Sequence, residues 1–197
     1  MLDKSVPYLD ILMKRPAGTK IPVYPLPEGY RYVLYRPGDE IAWAELEFSV
    51  LEFPNPEKGL ALFQQTFLPD QEELKRRCLF IEDSTGQKLA TAMAWWNMTG
   101  KQRDAWLHWV SVSPKSQGLG LGKAVVSKAL HLLLEIEGDR DIYLHTQTWS
   151  HKAVGIYLKC GFQISGEKKD NAGDQFDNRR AVEILKECGV QAEWAGD

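Results

Sequence analysis

The sequence predicts a mixed α/β (α+β) fold in one chain, and three stretches carry that expectation. "CLFIEDSTGQKLATAMAWWNM" from Cys78 gives two strand patterns around Asp83-Ser84-Thr85-Gly86, the signature of an antiparallel hairpin. "AWLHWVSV" is a strand pattern that meets glycines at 118, 120 and 122, and "AVVSKALHLLLEIEG" then runs with helical spacing to a stop at Gly138. "DIYLHTQT" followed by "HKAVGIYLKCG" is a second strand with a short helix, closed by Gly161.

The other elements follow in order. Residues 1–29 hold Pro7, Pro16, Pro22, Pro25 and Pro27, which no long helix can cross, so they read as an extended or wrapped arm of the same unit. From Tyr30, "YRYVLYRPGDE" is a strand that turns at Pro37-Gly38. Asp39 can cap a helix, "EIAWAELEFSVLEF", that ends at Pro54. Glu57 to Phe67 and Gln71 to Arg77 are helical pieces parted by Pro69-Asp70, Gly166 to Asp177 is polar loop, and "RRAVEILKECG" is a terminal helix. With no repeat or splitting linker, 30–197 reads as a single domain.

Composition narrows the function classes. The 197 residues are 44% hydrophobic and 26% charged, with no apolar run of the ~18 residues a membrane span needs, so a soluble protein without a membrane partner is expected. A net charge of -3 offers no field for nucleic acid. The N-terminus lacks a secretory pattern, which points to the cytoplasm. Cys78, Cys160 and Cys188 are far apart and without metal-ligand spacing, so neither a disulfide framework nor a metal site is expected.

The glycine run suggests a phosphate. A Walker loop fails, because Gln117 stands where its first glycine belongs and Ala124 where a Ser or Thr belongs; a dinucleotide fingerprint fails because the spacing is G-x-G-x-G. A strand, a short loop and a helix start with free N–H groups remain, which suits a pyrophosphate. At Val110-Ser111-Val112 followed by Gln117-Gly118-Leu119-Gly120-Leu121-Gly122, the chain resembles the GNAT (Gcn5-related) N-acetyltransferases and their acetyl-CoA motif. Downstream, "WSHKAVGIYLKCGF" is similar to that family's second motif at Ala153, Tyr157, Gly161 and Phe162, with Ser150 where asparagine is usual and Gln117 where arginine is commoner.

The resemblance implies a central, mostly antiparallel twisted sheet with a splayed parallel strand pair, flanked by helices. It also implies acetyl transfer from acetyl-CoA, as acyl-donor cosubstrate, to a primary amine by direct attack in a ternary complex, without a metal. Amides from Gly118 to Lys123 would hold the pyrophosphate, and the edge from Val110 to Val112 would pair with the pantetheine arm. A backbone N–H near the acetyl carbonyl would steady the oxyanion. Tyr157 matches the position that often protonates the leaving thiolate, the other reading being a packed phenol or one that orders the sulfur.

His108 is the base candidate: its ordinary pKa suits neutral pH, alternation puts it on the face of Trp106, Val110 and Val112, and its place resembles that of a catalytic histidine in the arylalkylamine branch. A hydrogen-bonded strand histidine is the alternative. His145 is a weaker candidate, while His131 and His151 fit structural or solvent roles. Glu45, Glu47 and Glu52 could bind a cationic acceptor or simply form a solvated face. Trp43, Trp95, Trp96, Trp106, Trp109 and Trp149 could border an acceptor cleft or fill the core, and adjacent Trp95 and Trp96 should face opposite ways in a strand. A non-catalytic acyl-CoA sensor with the same fold is the rival function, and the proline-rich arm is left to cover the cleft, mediate a homodimer contact or do neither.

Overall fold

The computed structural model describes residues 2–166 and 177–194, so the expected polar loop from Gly166 to Asp177 lies almost wholly outside the described residues. In chain order the elements are β1 (Asp10–Arg15), β2 (Tyr30–Leu34), α1 (Asp39–Ser49), α2 (Pro56–Thr66), α3 (Gln71–Arg77), β3 (Cys78–Asp83), β4 (Lys88–Thr99), β5 (Gln102–Val112), α4 (Leu121–Glu137), β6 (Ile142–Gln147), α5 (His151–Lys159), β7 (Gln163–Ile164) and α6 (Asn178–Glu187). The seven strands form one sheet in the order β2-β3-β4-β5-β6-β1-β7. Among the described strands every ladder is antiparallel except that of β5 with β6, which is limited to Ala105 opposite Ile142 and Trp106 opposite Tyr143. Beyond that short contact the two strands part, and the edge at Val110 to Val112 is open.

Helices cover both faces. On one, α4 sets Leu121, Ala124, Val125, Ala129 and Leu133 against β4 and β5 in the larger core. On the other, α1 and α2 bring Trp43 and Phe63 against Met93 and Trp95. Among the described residues, no helix is long and apolar enough to cross a membrane.

Part of the N-terminal arm is a strand. "DILMKR" lies between Pro7 and Pro16, and Ile11, Leu12 and Met13 are each 0% exposed, which only a strand covered on both faces achieves. Ile11 and Met13 join the larger core, while Leu12 packs with Trp106 and Tyr143. Burying three such side chains contributes about 1.5–3 kcal/mol each. Because β1 is wedged between β6 and β7, residues 2–9 emerge beside the end of β6.

Two local departures shape what lies at the strand ends. Helix α1 stops at Ser49 instead of running to Pro54: Leu51 N–H donates to the Phe48 carbonyl at 2.9 Å and Glu52 N–H to the Glu47 carbonyl at 3.1 Å. That pair of bonds closes a helix with a left-handed residue, and the residue is Leu51, at φ 73°. A leucine there costs about 1–2 kcal/mol, so no glycine marks the stop. At the other end, Gly38 occupies the cap and Asp39 is already helical, its carboxylate accepting the Arg36 N–H at 2.8 Å.

The second departure is a bulge in β5. Met93 faces His108 and Thr91 faces Ser111, so Trp109 and Val110 together oppose Ala92, with Trp109 at φ 49°. Alternation is thereby reset. Val110 and Val112 pack toward the α4 core and Trp109 toward the α1 core, so His108 does not share a face with the two valines as simple alternation predicts. Trp95 and Trp96 also break alternation: their rings stack at 4.3 Å and 12°, and the Arg77 and Arg103 guanidiniums lie over Trp96 at 5.0 and 4.4 Å. Cations on the ring of Trp96 hold it beside its neighbour.

Candidate active site

Where β5 and β6 part, a cleft of about 380 Å³ opens, lined by Val110, Ser111, Val112, Gln117, Gly118, Gly120, Leu121, Gly122, Lys123, Ser150, Ala153 and others. All of the residues expected to hold the donor lie on it except Leu119, which is exposed and outside the lining. The three glycines differ in purpose. Gly118 and Gly120 both sit at φ 85°, and a Cβ on either would find nothing within 4 Å, so the chain bends there without filling the cleft. Gly122 is helical, and a Cβ on it would lie only 3.2 Å from Ile156 Cδ1, so its absence serves the packing of α4 on α5.

The start of α4 is bare. Asn55 caps α2 by accepting the Lys58 N–H at 3.0 Å, and Asp177 caps α6 by accepting the Arg180 N–H at 3.0 Å. Helix α4 has neither a side-chain cap nor an acid in its first turn, so its leading N–H groups face the cleft free to meet an anion. Gln117 is tied back, its amide donating to the Val112 carbonyl at 3.2 Å.

A second cavity of about 490 Å³ adjoins the first and shares Leu2, Glu52, Val110, Ser111, Ser150 and Ala153 with it. Tyr157, His108, His145, Glu47, Trp106, Trp109 and Trp149 line this second part. Trp43 is 0% exposed inside the α1 cluster and, like Trp95 and Trp96, is not on its wall. Tyr157 is buried, and its hydroxyl makes no hydrogen bond to another described residue. Burial raises its pKa well above the ordinary tyrosine value, and the carboxyls of Glu47 and then Glu52 raise it further.

His108 is partly buried, stacks on Trp106 at 5.7 Å, and has Nε2 3.1 Å from Asn97 Oδ1. Desolvation, with help from His145, lowers its pKa to about 4, so it is neutral at pH 7. His145 lies 3.5 Å from Asp10; His131 bonds the Ser127 carbonyl along α4; His151 contacts Asp3 at 3.2 Å.

Asn97 escaped the sequence analysis, while Glu47 and the N-terminal arm were offered there only with their alternatives open. Glu47, one of several exchangeable acids on a helix by sequence, is 1% exposed, and the Ser111 hydroxyl donates to its Oε2 at 2.7 Å. Asn97 reaches His108 from across the hairpin. Residues 2–10 form an outer wall: the Trp149 indole donates to the Val6 carbonyl at 2.8 Å, Tyr8 meets Trp149 edge-on at 4.9 Å, and Asp3 N–H donates to the Trp149 carbonyl at 2.9 Å. Lys4 lies 5.2 Å over the same indole, and Leu2, Lys4, Tyr8 and Asp10 all line the cavity. Among the described residues, no group of three or more His, Cys, Asp or Glu could hold a metal ion.

Comparison with known proteins points the same way. Residues 39–162 match the model of the acetyltransferase (GNAT) family. The chain is 30% identical over 156 residues to a mycothiol acetyltransferase of Salinispora tropica, covering 76% of this chain and 50% of that protein. A spermidine N(1)-acetyltransferase of Vibrio cholerae is 33% identical over only 57 residues, 29% of this chain and 33% of that protein. The chain thus spans about half the length of the first of these curated relatives. Its fold is similar to that of a GCN5-related N-acetyltransferase from Sphaerobacter thermophilus, with a TM-score of 0.62 at 21% identity over 80% of this chain and 49% of that one. The family match spans the hairpin, the glycine run and Tyr157 alike, and the chain belongs to the GNAT acetyltransferase family.

Proposed function

We propose that the chain transfers the acetyl group of acetyl-CoA to the primary amine of a small molecule by direct attack in a ternary complex. The observation that carries this reading is the joining of the two cavities: an anion-ready helix start at one end and an acid-lined aromatic chamber at the other share one floor at Val110 and Ser111. In this reading Gly118 to Lys123 hold the pyrophosphate, with Lys152 beside them, while the open edge from Val110 to Val112, Ser150 and Ala153 hold the arm of the donor. Acetyl-CoA supplies a thioester activated toward an amine. Glu52 and Asp10 outnumber Lys4 on the chamber wall, a balance of sign that attracts a cationic acceptor.

Tyr157 is proposed as the proton donor to the thiolate. Its raised pKa keeps the phenol protonated through the neutral range, and the hydroxyl has no competing partner among the described residues. A covalent route through Cys160 is disfavoured, because burial pushes that thiol up to about 11. Tyr157→Phe is expected to lower kcat about 100-fold while acetyl-CoA affinity changes less than about threefold. Wild-type kcat with both substrates saturating would remove the acid role.

The wall of residues 2–10 favours a small acceptor over a protein one, since it narrows the chamber where a polypeptide would have to enter. Trp149→Ala removes the indole that pins Val6, Tyr8 and Lys4. It is expected to raise KM for the amine about tenfold with a smaller change in kcat. An unchanged KM would detach that segment from acceptor recognition.

The reading as a whole is tested by acetyl-CoA calorimetry together with free-thiol release across a panel of small amines and peptides. Amine-dependent release names the acceptor class. Binding without release from any amine or peptide would favour the sensor, and absence of binding would sink both.

A further inference from the structure

We propose that Ser111 and Glu47 form a proton relay, in which the Ser111 hydroxyl takes the proton of the acceptor ammonium while passing its own to the Glu47 carboxylate. The inference rests on the N-acetyl transfer proposed above. Ser111 stands on the floor common to both cavities, where the attacking nitrogen must meet the thioester carbon. Its hydroxyl donates to Glu47 Oε2 at 2.7 Å, so the two groups are already in line. Ser111 is 5% exposed and Glu47 1%, which keeps bulk water from competing for the proton.

Glu47 has no structural excuse for its place. Among the described residues, the buried Oε1 has no hydrogen-bond partner, and no lysine, arginine or histidine pairs with the carboxyl. A buried carboxyl with an orphaned oxygen costs the fold stability, and groups kept at such a cost cluster at functional sites. The groups facing it are Ser111 from β5, Glu52 beyond the end of α1, Tyr157 from α5 and Cys78 from β3, with His108 on the same wall. None of these supplies a fixed positive charge.

The relay balances. The ammonium loses one N–H bond as Ser111 Oγ gains a proton, and Oγ gives its original proton to Glu47, leaving serine neutral, the carboxyl protonated and the amine lone pair free for the carbonyl carbon. Burial, reinforced by Glu52 and opposed by the Ser111 bond, raises the Glu47 pKa to about 8. A carboxylate of that basicity lies much nearer an alkylammonium than an ordinary one, and much nearer than His108 at about 4.

The sign follows. Only ionised Glu47 can receive, so kcat/KM for the amine, which reports the protein before the amine binds, should rise with pH, about tenfold per unit below pH 8, and level off above it. The experiment is a pH profile of kcat and kcat/KM, by thiol release with acetyl-CoA and the best amine of the panel, for the wild type, Glu47→Gln, Ser111→Ala and His108→Gln. Glu47→Gln should lose the bend near pH 8 and at least about 100-fold in kcat, with acetyl-CoA affinity within about threefold; the uncharged amide fits the same space, so the fold should persist. Ser111→Ala should slow turnover comparably and move any remaining bend upward, because its hydrogen bond is what holds the Glu47 pKa down. A Glu47→Gln enzyme that keeps both the bend and its turnover overturns the relay, and loss of the bend in His108→Gln alone gives the proton to His108. A wild type that releases thiol with no amine at any pH overturns the transferase reading itself, and the relay with it.

Discussion

Gly120→Asp is expected to weaken acetyl-CoA binding more than about 100-fold while the folded protein stays close to its original stability. Charge rather than bulk produces the loss, since a Cβ at this position meets nothing within 4 Å. Gly120 caps α4 at φ 85°, a conformation that costs most side chains about 1–2 kcal/mol but that Asp and Asn tolerate better than others. An aspartate at a helix start also accepts the free N–H groups and opposes the helix dipole, which returns about 0.5–1 kcal/mol to the fold. Those are the same N–H groups that the diphosphate would use. The mutation therefore satisfies the helix and repels the ligand in one step.

Gly120→Asn is the control, because it has nearly the same shape and backbone preference without the charge. Calorimetry should give the order wild type, Asn, Asp in falling affinity, and the Asn to Asp gap should narrow in high salt as screening grows. Equal affinities for the Asn and Asp variants would show that no anion sits at this helix start.

How far the sequence reached is explained by what each feature depends on. The hairpin from Cys78, the strand and helix around the glycines, and the strand before α5 are specified by nearby residues, and each is present within a few positions of its expected bounds. Strand β1 is specified by partners far away, since Ile11, Leu12 and Met13 become a covered strand only when β6 and β7 flank them. Prolines on both sides hid it. The end of α1 is set by Leu51 in a conformation that sequence rules reserve for glycine, and the bulge at Trp109 leaves no composition signal at all. Strand alternation fixes the face of His108 only while the ladder is unbroken, and one inserted residue changes it. Glu47 looked like Glu45 and Glu52 because burial on a helix is decided by what packs against it; here that is Ser111, visible only once α1 lies across β5.

Glu47 also gives a measurement that needs neither acetyl-CoA nor an amine. A carboxyl whose folded pKa is about 8, against an ordinary value of 4.5, binds its proton more tightly in the native state. Its contribution to stability is fully present below pH 4.5 and is progressively lost as pH rises toward 8, because the unfolded chain releases the proton there and the folded chain does not. The thermal midpoint of the wild type should therefore fall between about pH 5 and pH 8 by several degrees more than that of Glu47→Gln, and the two curves should run parallel above pH 8.5. At pH 8.5 the variant should be the more stable protein, since it carries no charge into the interior. Other groups contribute to the wild-type curve, but Glu47→Gln shares them, so the difference between the curves isolates the one carboxyl. Parallel curves across the whole range would mean that Glu47 ionises at an ordinary pH, and the basicity that makes it the natural end of the relay would be gone.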